Sequence, residues 1–390
     1  MFHLFFDPAR SYIAVTVVVA FALISSLFLF TSFSFGYFVG VYFYTMILGY
    51  LWLSCFSDLN YDRLSAGLSA VASIIAFLLP AVLILSPFTR VYTLSAAAFD
   101  RVLMAILALG AATIVVGATY NFRLVAIEEI YDFRDKMESP TILNYLIGIT
   151  SSALLPFAFA GFMARRAWWR AGAVLLLLLL LYPITLTKLA LFAPLWLVTM
   201  LLISNLFETR IAAILSLAAP LLAVLVLAGL FQEKAALLLA VVNFRMAAIP
   251  SIAMDVYNDF FSRHEVTYFC QISFLKHIVS CPYQEPLSVV MAQTYKIGNF
   301  NASLFATEGI ASVGLWLAPV SAFVCGLVIA LGNRLSAGLP SGFILISGAI
   351  LPQVLLNVPL TTALLTHGAA LLFLLWYITP RAIFEQETAE

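Results

Sequence analysis

Apolar runs of roughly 17–25 residues follow one another through most of this chain, each long enough for a helix to cross a bilayer core. Backbone in lipid has no water to bond, so only helices or a closed barrel can span. The runs lack the residue-by-residue alternation of barrel strands, which leaves helices. Only 10% of the 390 residues are charged, against about a quarter in a soluble domain. The expected fold class is therefore an all-α polytopic integral membrane protein. Spans are expected near 11–31, 35–56, 66–88, 101–120, 143–164, 168–185, 188–205, 211–231, 306–331, 341–357 and 359–379. That makes about eleven transmembrane helices (10–12), with a large outer-face loop before the last three, in a single membrane domain of residues 1–390. The run after Arg10 lacks a small-residue cleavage pattern and reads as a first span rather than a signal peptide. Tight joins at Thr185–Lys188 and Asn357–Pro359 read as hairpins or as broken helices lining a cavity. Net charge is zero, so nothing points to nucleic acid.

The Lys/Arg bias sets an expected orientation. Arg165, Arg166 and Arg170 form the strongest short basic cluster and should be cytoplasmic. Counting from there puts Arg90, Arg101, Arg210, Arg334 and Arg381 on the same side. It puts residues 120–142 and 232–305 on the outer face as loops, with Lys188. It also leaves Arg10 outside, against the bias.

Charge is concentrated in those two loops. Of 38 charged residues (19 + 19), ten lie in 232–305 and eight in 120–141, which marks both as candidate binding or catalytic regions. The larger one carries Arg245, Asp255, Tyr257, Phe260, Phe261, Arg263 and His264. Its rings suit sugar stacking or a membrane interface. An Arg beside the membrane can clamp a phosphate, or simply anchor at the interface. His264 and His277 lie in the same loop, and His264 is a candidate general base; a loop histidine with no role is the alternative. Asn301 stands before the next span and can cap it, and Asn301-Ala302-Ser303 also matches a glycosylation sequon. Glu308 sits in that span's first turn, where it serves the helix dipole or acts as a base or cation partner. In the smaller loop Arg123 and Arg134 are eleven apart and would share a helix face, with Tyr131 beside Arg134. Converging with Lys188 they would form an anion pocket; pairing with the nearby Glu and Asp residues on a solvated helix is the alternative. Cys270 and Cys281 share the larger loop and can form a disulfide in an oxidising compartment, whereas Cys55 and Cys325 fall in apolar runs. No HExxH, Cys/His cluster or P-loop is present, so neither a metal nor a nucleotide cofactor is expected.

These features together resemble the Wzy-type polymerases of bacterial O-antigen and exopolysaccharide repeat units. The similar elements are Ile130-Tyr131-Asp132-Phe133-Arg134, Thr185-Leu186-Thr187-Lys188, Arg245 with Ile249-Pro250, Tyr257 and Phe260-Phe261, and Asn301-Ala302-Ser303-Leu304-Phe305 with Glu308-Gly309 and Gly314. The family's element of Arg every ten residues followed by Gly is not evident. The resemblance implies a GT-C-like, metal-independent glycosyltransferase without cofactors in the bacterial inner membrane, active at its periplasmic face. Its substrates would be undecaprenyl-diphosphate-linked glycans, and its partners inner-membrane lipids, a chain-length regulator and a flippase. Arg245, Arg123, Arg134 and Lys188 would hold the diphosphate, with Arg263 and Asn301 nearby. Glu308, His264 or Asp255 would act as base, and Tyr131, Tyr257, Phe260 and Phe261 would position sugar or lipid. The O-antigen ligases share the layout, and a lipid-linked oligosaccharide transporter is the alternative from another class.

Overall fold

The computed structural model of the chain describes residues 2–125, 133, 139–232, 236–272, 275, 278–298 and 301–385. Among these residues the fold is all-helical; the only β feature is an isolated antiparallel bridge between Leu4 and Ser57. Among the described residues ten helices are long and apolar enough to cross a membrane. They are α1 (Pro8–Leu29), α2 (Phe35–Ser54), α3 (Arg63–Leu83), α4 (Ala96–Tyr120), α5 (Thr141–Ala164), α6 (Trp168–Thr185), α7 (Lys188–Leu206), α8 (Thr209–Phe231), α9 (Ala236–Phe261) and, after a short α10 (Leu287–Tyr295), α11 (Phe305–Ser336). Polar residues start several of them as the sequence dictates. Ser34, Asp62, Ser95 and Thr187 accept from the first-turn amides of α2, α3, α4 and α7, satisfying donors that the helix itself cannot.

Three features depart from the sequence reading. Residues 232–305 are not a single loop, because α9 and α10 lie within them. Asp255 and Asp259 give that stretch a polar look, yet both are buried and fully hydrogen-bonded, so α9 carries its polarity inward. The expected last spans, 341–357 and 359–379, are instead four short helices: Ser341–Ser347, Leu351–Leu355, Leu360–Leu365 and Ala369–Ile378. Gly348 ends the first, Pro359 precedes the third, and Gly368 at φ +74 precedes the fourth. Arg123 is not helical: α4 ends at Tyr120, Asn121 turns extended, and the Arg123 amide donates to Pro183 O at 2.8 Å. Arg134 and Tyr131, the other residues of that expected face, lie outside the described residues.

Where the sequence reads as one membrane domain, the chain packs as two compact units. The first comprises Met1–Leu85, Ala213–Leu331 and Leu355–Thr361; the second comprises Ser86–Ala212, Gly332–Val354 and Thr362–Glu390.

Within the first unit, helix directions can be read from paired contacts. Ser69 Oγ of α3 donates to Leu315 O of α11 at 2.5 Å. Eleven residues further along each helix, a Cβ on Gly326 would meet the Pro80 side chain at 2.8 Å. The two helices therefore run parallel in register. Ser251 of α9 donates to Met46 O of α2 at 2.9 Å, and Asp255 and Asp259 then reach residues beyond the end of α2. Hence α2 and α9 also run parallel. The end of α9, the 55–62 connection and the start of α11 share one face, and the polar segment 262–304 begins and ends there. The amino-terminal segment joins them: Phe5 N donates to Phe56 O, and Asp58 N to His3 O, both at 2.9 Å. The sequence count likewise leaves Arg10 on the side of the large loop.

The second unit centres on α5, packed against α4, α6 and the helix Ser341–Ser347, with α7 alongside α6. Close backbone approach is built into it. A Cβ on Gly148 of α5 would stand 2.5 Å from Thr366 O. The break between α6 and α7 is a real chain reversal: Leu186 adopts a left-handed conformation at φ +46 and Thr187 caps α7.

Candidate functional site

Asp255 and Asp259 lie one helical turn apart on one face of α9, and Arg263 follows four residues later, just past the helix end. Both carboxylates are 1% exposed. Buried carboxylates must collect donors, and these two do. Asp255 accepts from Ser57 Oγ at 2.7 Å and from the Tyr61 hydroxyl. Tyr61 continues through Tyr50, whose hydroxyl accepts from Asn258 Nδ2 at 3.1 Å. Asp259 accepts from Asn60 N at 2.9 Å, from Tyr295 OH at 2.5 Å and from the Arg263 guanidinium. Burial, and then the neighbouring Asp259 carboxylate, push the Tyr295 phenol well above its ordinary value. Burial does the same to Tyr61, reinforced by Tyr50 and Asp255.

The 55–62 connection is held in shape by the cation that follows it, Arg63 at the start of α3. Arg63 donates to Ser57 O at 2.9 Å and Leu59 O at 2.7 Å. Above Asp259 opens a cavity of about 400 Å³, lined by His3, Asp58, Asn60, Asp259, Arg263, Tyr295 and Lys296 among others. A second, of about 430 Å³, shares Asp58 and is lined by Asp7, Arg10, Ser57 and Arg63 with Phe5 and Phe56. The first cavity thus combines one buried carboxylate, a half-exposed guanidinium, an ammonium and a phenol. That set can bind an anion and take up a proton.

The other sequence candidates are dispersed. Arg245 lies half-buried in a π-helical turn of α9, Phe244–Ala248. Tyr257 and Phe260, expected to stack on sugar, are interior at 1% and 3% exposure and do not present that surface. Phe260 instead stacks face to face on the His264 ring at 4.0 Å, and His264 Nδ1 lies 2.8 Å from Phe260 O. Phe261 and Tyr283 complete this ring cluster. Asn301 is exposed and does not cap α11; the carbonyl of Ser303 accepts from Ala306 N and Thr307 N instead. Glu308 is buried, accepting from Thr307 Oγ1 at 2.6 Å and Thr361 N at 3.2 Å. Cys270 and Cys281 are joined in a disulfide, with Cys270 buried. His277 lies outside the described residues.

Arg123 and Lys188 belong to the second unit, on either side of the break between α6 and α7. Arg123 is anchored on Pro183, Tyr182 OH donates to Val125 O at 2.5 Å, and Lys188 opens α7 just past the break. Among the described residues no cluster of three or more His, Cys, Asp and Glu side chains has the geometry to hold a metal ion.

Sequence reasoning missed Asp259, Asn60, Tyr61, Tyr295 and Lys296. The spacing of Asp255, Asp259 and Arg263 was a usable signal, and so was the polar run Ser57–Arg63 between two spans. No family profile, curated protein or solved structure matches this chain.

Proposed function

We propose that this chain is a multi-pass membrane glycosyltransferase that joins polyprenyl-diphosphate-linked glycan units, as its resemblance to Wzy-type polymerases implies. The observation that supports the reading best is the Asp259–Arg263–Tyr295–Lys296 cavity, on the face where the disulfide-bearing segment 262–304 begins and ends. A disulfide fits an oxidising compartment, which for a bacterial inner-membrane protein is the periplasm.

In this reading an acceptor hydroxyl attacks the anomeric carbon of the donor glycan. The bond from that carbon to the diphosphate breaks, and polyprenyl diphosphate leaves. Arg263, now bound to Asp259, exchanges that carboxylate for the diphosphate, assisted by Lys296, and offsets the charge developing on the leaving group. Asp259, released from the guanidinium, takes the proton from the acceptor hydroxyl. Arg245, Arg123, Arg134 and Lys188 remain candidates for the lipid diphosphates, and Asp255 supports the 55–62 connection rather than the reacting atoms. The buried Glu308, held by Thr307 and Thr361, is the observation that favours the transporter alternative.

The test is reconstitution of the chain in liposomes with undecaprenyl-diphosphate-linked repeat unit, with Arg263→Ala in parallel. A ladder of longer glycans that the variant lacks is the expected result. Transfer only onto lipid A core would favour the ligase. Movement of lipid-linked sugar across the bilayer with no new glycosidic bond would favour the transporter.

A further inference from the structure

Three arginines of the second unit come together where apolar helices end. Arg334 lies in the last turn of α11, Arg90 in the connection before α4, and Arg381 just past the helix Ala369–Ile378. Arg381 Nη1 donates to Trp376 O at 2.7 Å and Thr379 O at 2.5 Å. Its Nη2 donates to Leu335 O at 3.1 Å and Ala337 O at 3.0 Å. Arg90 donates to the same Ala337 carbonyl. Arg334 donates to Ser86 O at 3.0 Å and lies 3.6 Å over the Phe88 ring. Gly338, at φ +77, keeps this corner open: a Cβ there would come within 3.0 Å of Arg90 Nη2.

None of the three has a carboxylate partner among the described residues, whereas Arg165, Arg210 and Arg263 each have one. Their partners are carbonyls and a ring, which leave the charge uncompensated. The Arg381 Nε is buried with no acceptor at all. Burial, and then the charge of Arg90, lower the Arg381 pKa to about 10, as expected of cations crowded without a counter-ion. The sequence bias puts all three on the cytoplasmic side, where anionic lipid headgroups lie at the level of helix ends.

We infer that Arg90, Arg334 and Arg381 form a binding site for a phosphate-bearing anion at the membrane edge, of the kind an anionic phospholipid headgroup supplies. The remaining fork donors of Arg90 and Arg334 suit bidentate contact with phosphate oxygens. Phe88 holds the Arg334 plane as it does so. The inference does not depend on the glycosyltransferase reading.

The test is native mass spectrometry of the full chain released from detergent with phosphatidylglycerol or phosphatidylcholine, with and without excess inorganic phosphate. Phosphatidylglycerol should be retained at least about tenfold over phosphatidylcholine, and Arg90→Gln with Arg334→Gln should abolish that preference. If inorganic phosphate fails to displace it, the occupant is lipid; if phosphate displaces it and binds by itself, the same site takes a soluble phosphate-bearing anion. Equal retention of both lipids with no phosphate binding, or an unchanged preference in the double variant, would overturn the site. Should the double variant not fold, as judged by its thermal unfolding, Arg334→Lys decides. It keeps the charge and loses the fork, so retention should fall severalfold; full retention would contradict the proposal.

Discussion

Asp255 and Asp259 occupy one helix face yet face different tasks. Asp255 is bound only by hydroxyls, from Ser57 and Tyr61, so it ties α9 to a connection 198 residues earlier. Truncating it removes the acceptor of the buried Ser57 hydroxyl and of the half-buried Tyr61 hydroxyl. Asp255→Ala should destabilise the protein by about 2–4 kcal/mol, and Asp255→Asn by about half that, because an amide oxygen still accepts. Thermal unfolding in detergent would measure both. Asp255 was legible in the sequence as a candidate, because it falls in a segment where charge is concentrated. Its partner Ser57 was not, since only the packing of α2 on α9 brings them together. Phe260 was legible as an aromatic near a possible base. That its ring would be spent inside, stacked on His264, depends on tertiary contacts that spacing does not encode.

Most spans were legible, because a run of apolar residues bounded by capping residues leaves one outcome in lipid. The failures came where polarity or small residues interrupt a run. Asp255 and Asp259 disguise α9 as loop, and Gly348, Pro359 and Gly368 break the carboxy-terminal stretch into short pieces. Close helix approach is similarly silent in hydropathy. Gly148 allows α5 to lie against the Thr366 carbonyl, which is backbone and cannot rotate away. Gly148→Ala should therefore cost about 1–3 kcal/mol and lower the unfolding temperature, whereas Gly172→Ala, with open space around its Cβ position, should be neutral or slightly stabilising.

For the membrane-spanning molecule the decisive feature is sidedness. The parallel registers of α2 with α9 and of α3 with α11 set the amino-terminal segment, the 55–62 connection and both ends of segment 262–304 on one face. Single cysteines replacing Phe6 and Lys296, both exposed, should react with an impermeant maleimide from the same side of sealed vesicles; labelling from opposite sides would refute the shared face. Charge bias in the sequence reached the same grouping by counting spans, but it could not single out the carboxylate at the centre of the site. The most direct measurement is glycan-ladder formation by Asp259→Asn, which keeps an acceptor for the Asn60 amide and removes the base. Ladder formation should fall by about 100-fold or more with unfolding temperature and disulfide intact. A ladder within about threefold of the unaltered protein would exclude Asp259 as the proton acceptor and leave the cavity without its chemistry.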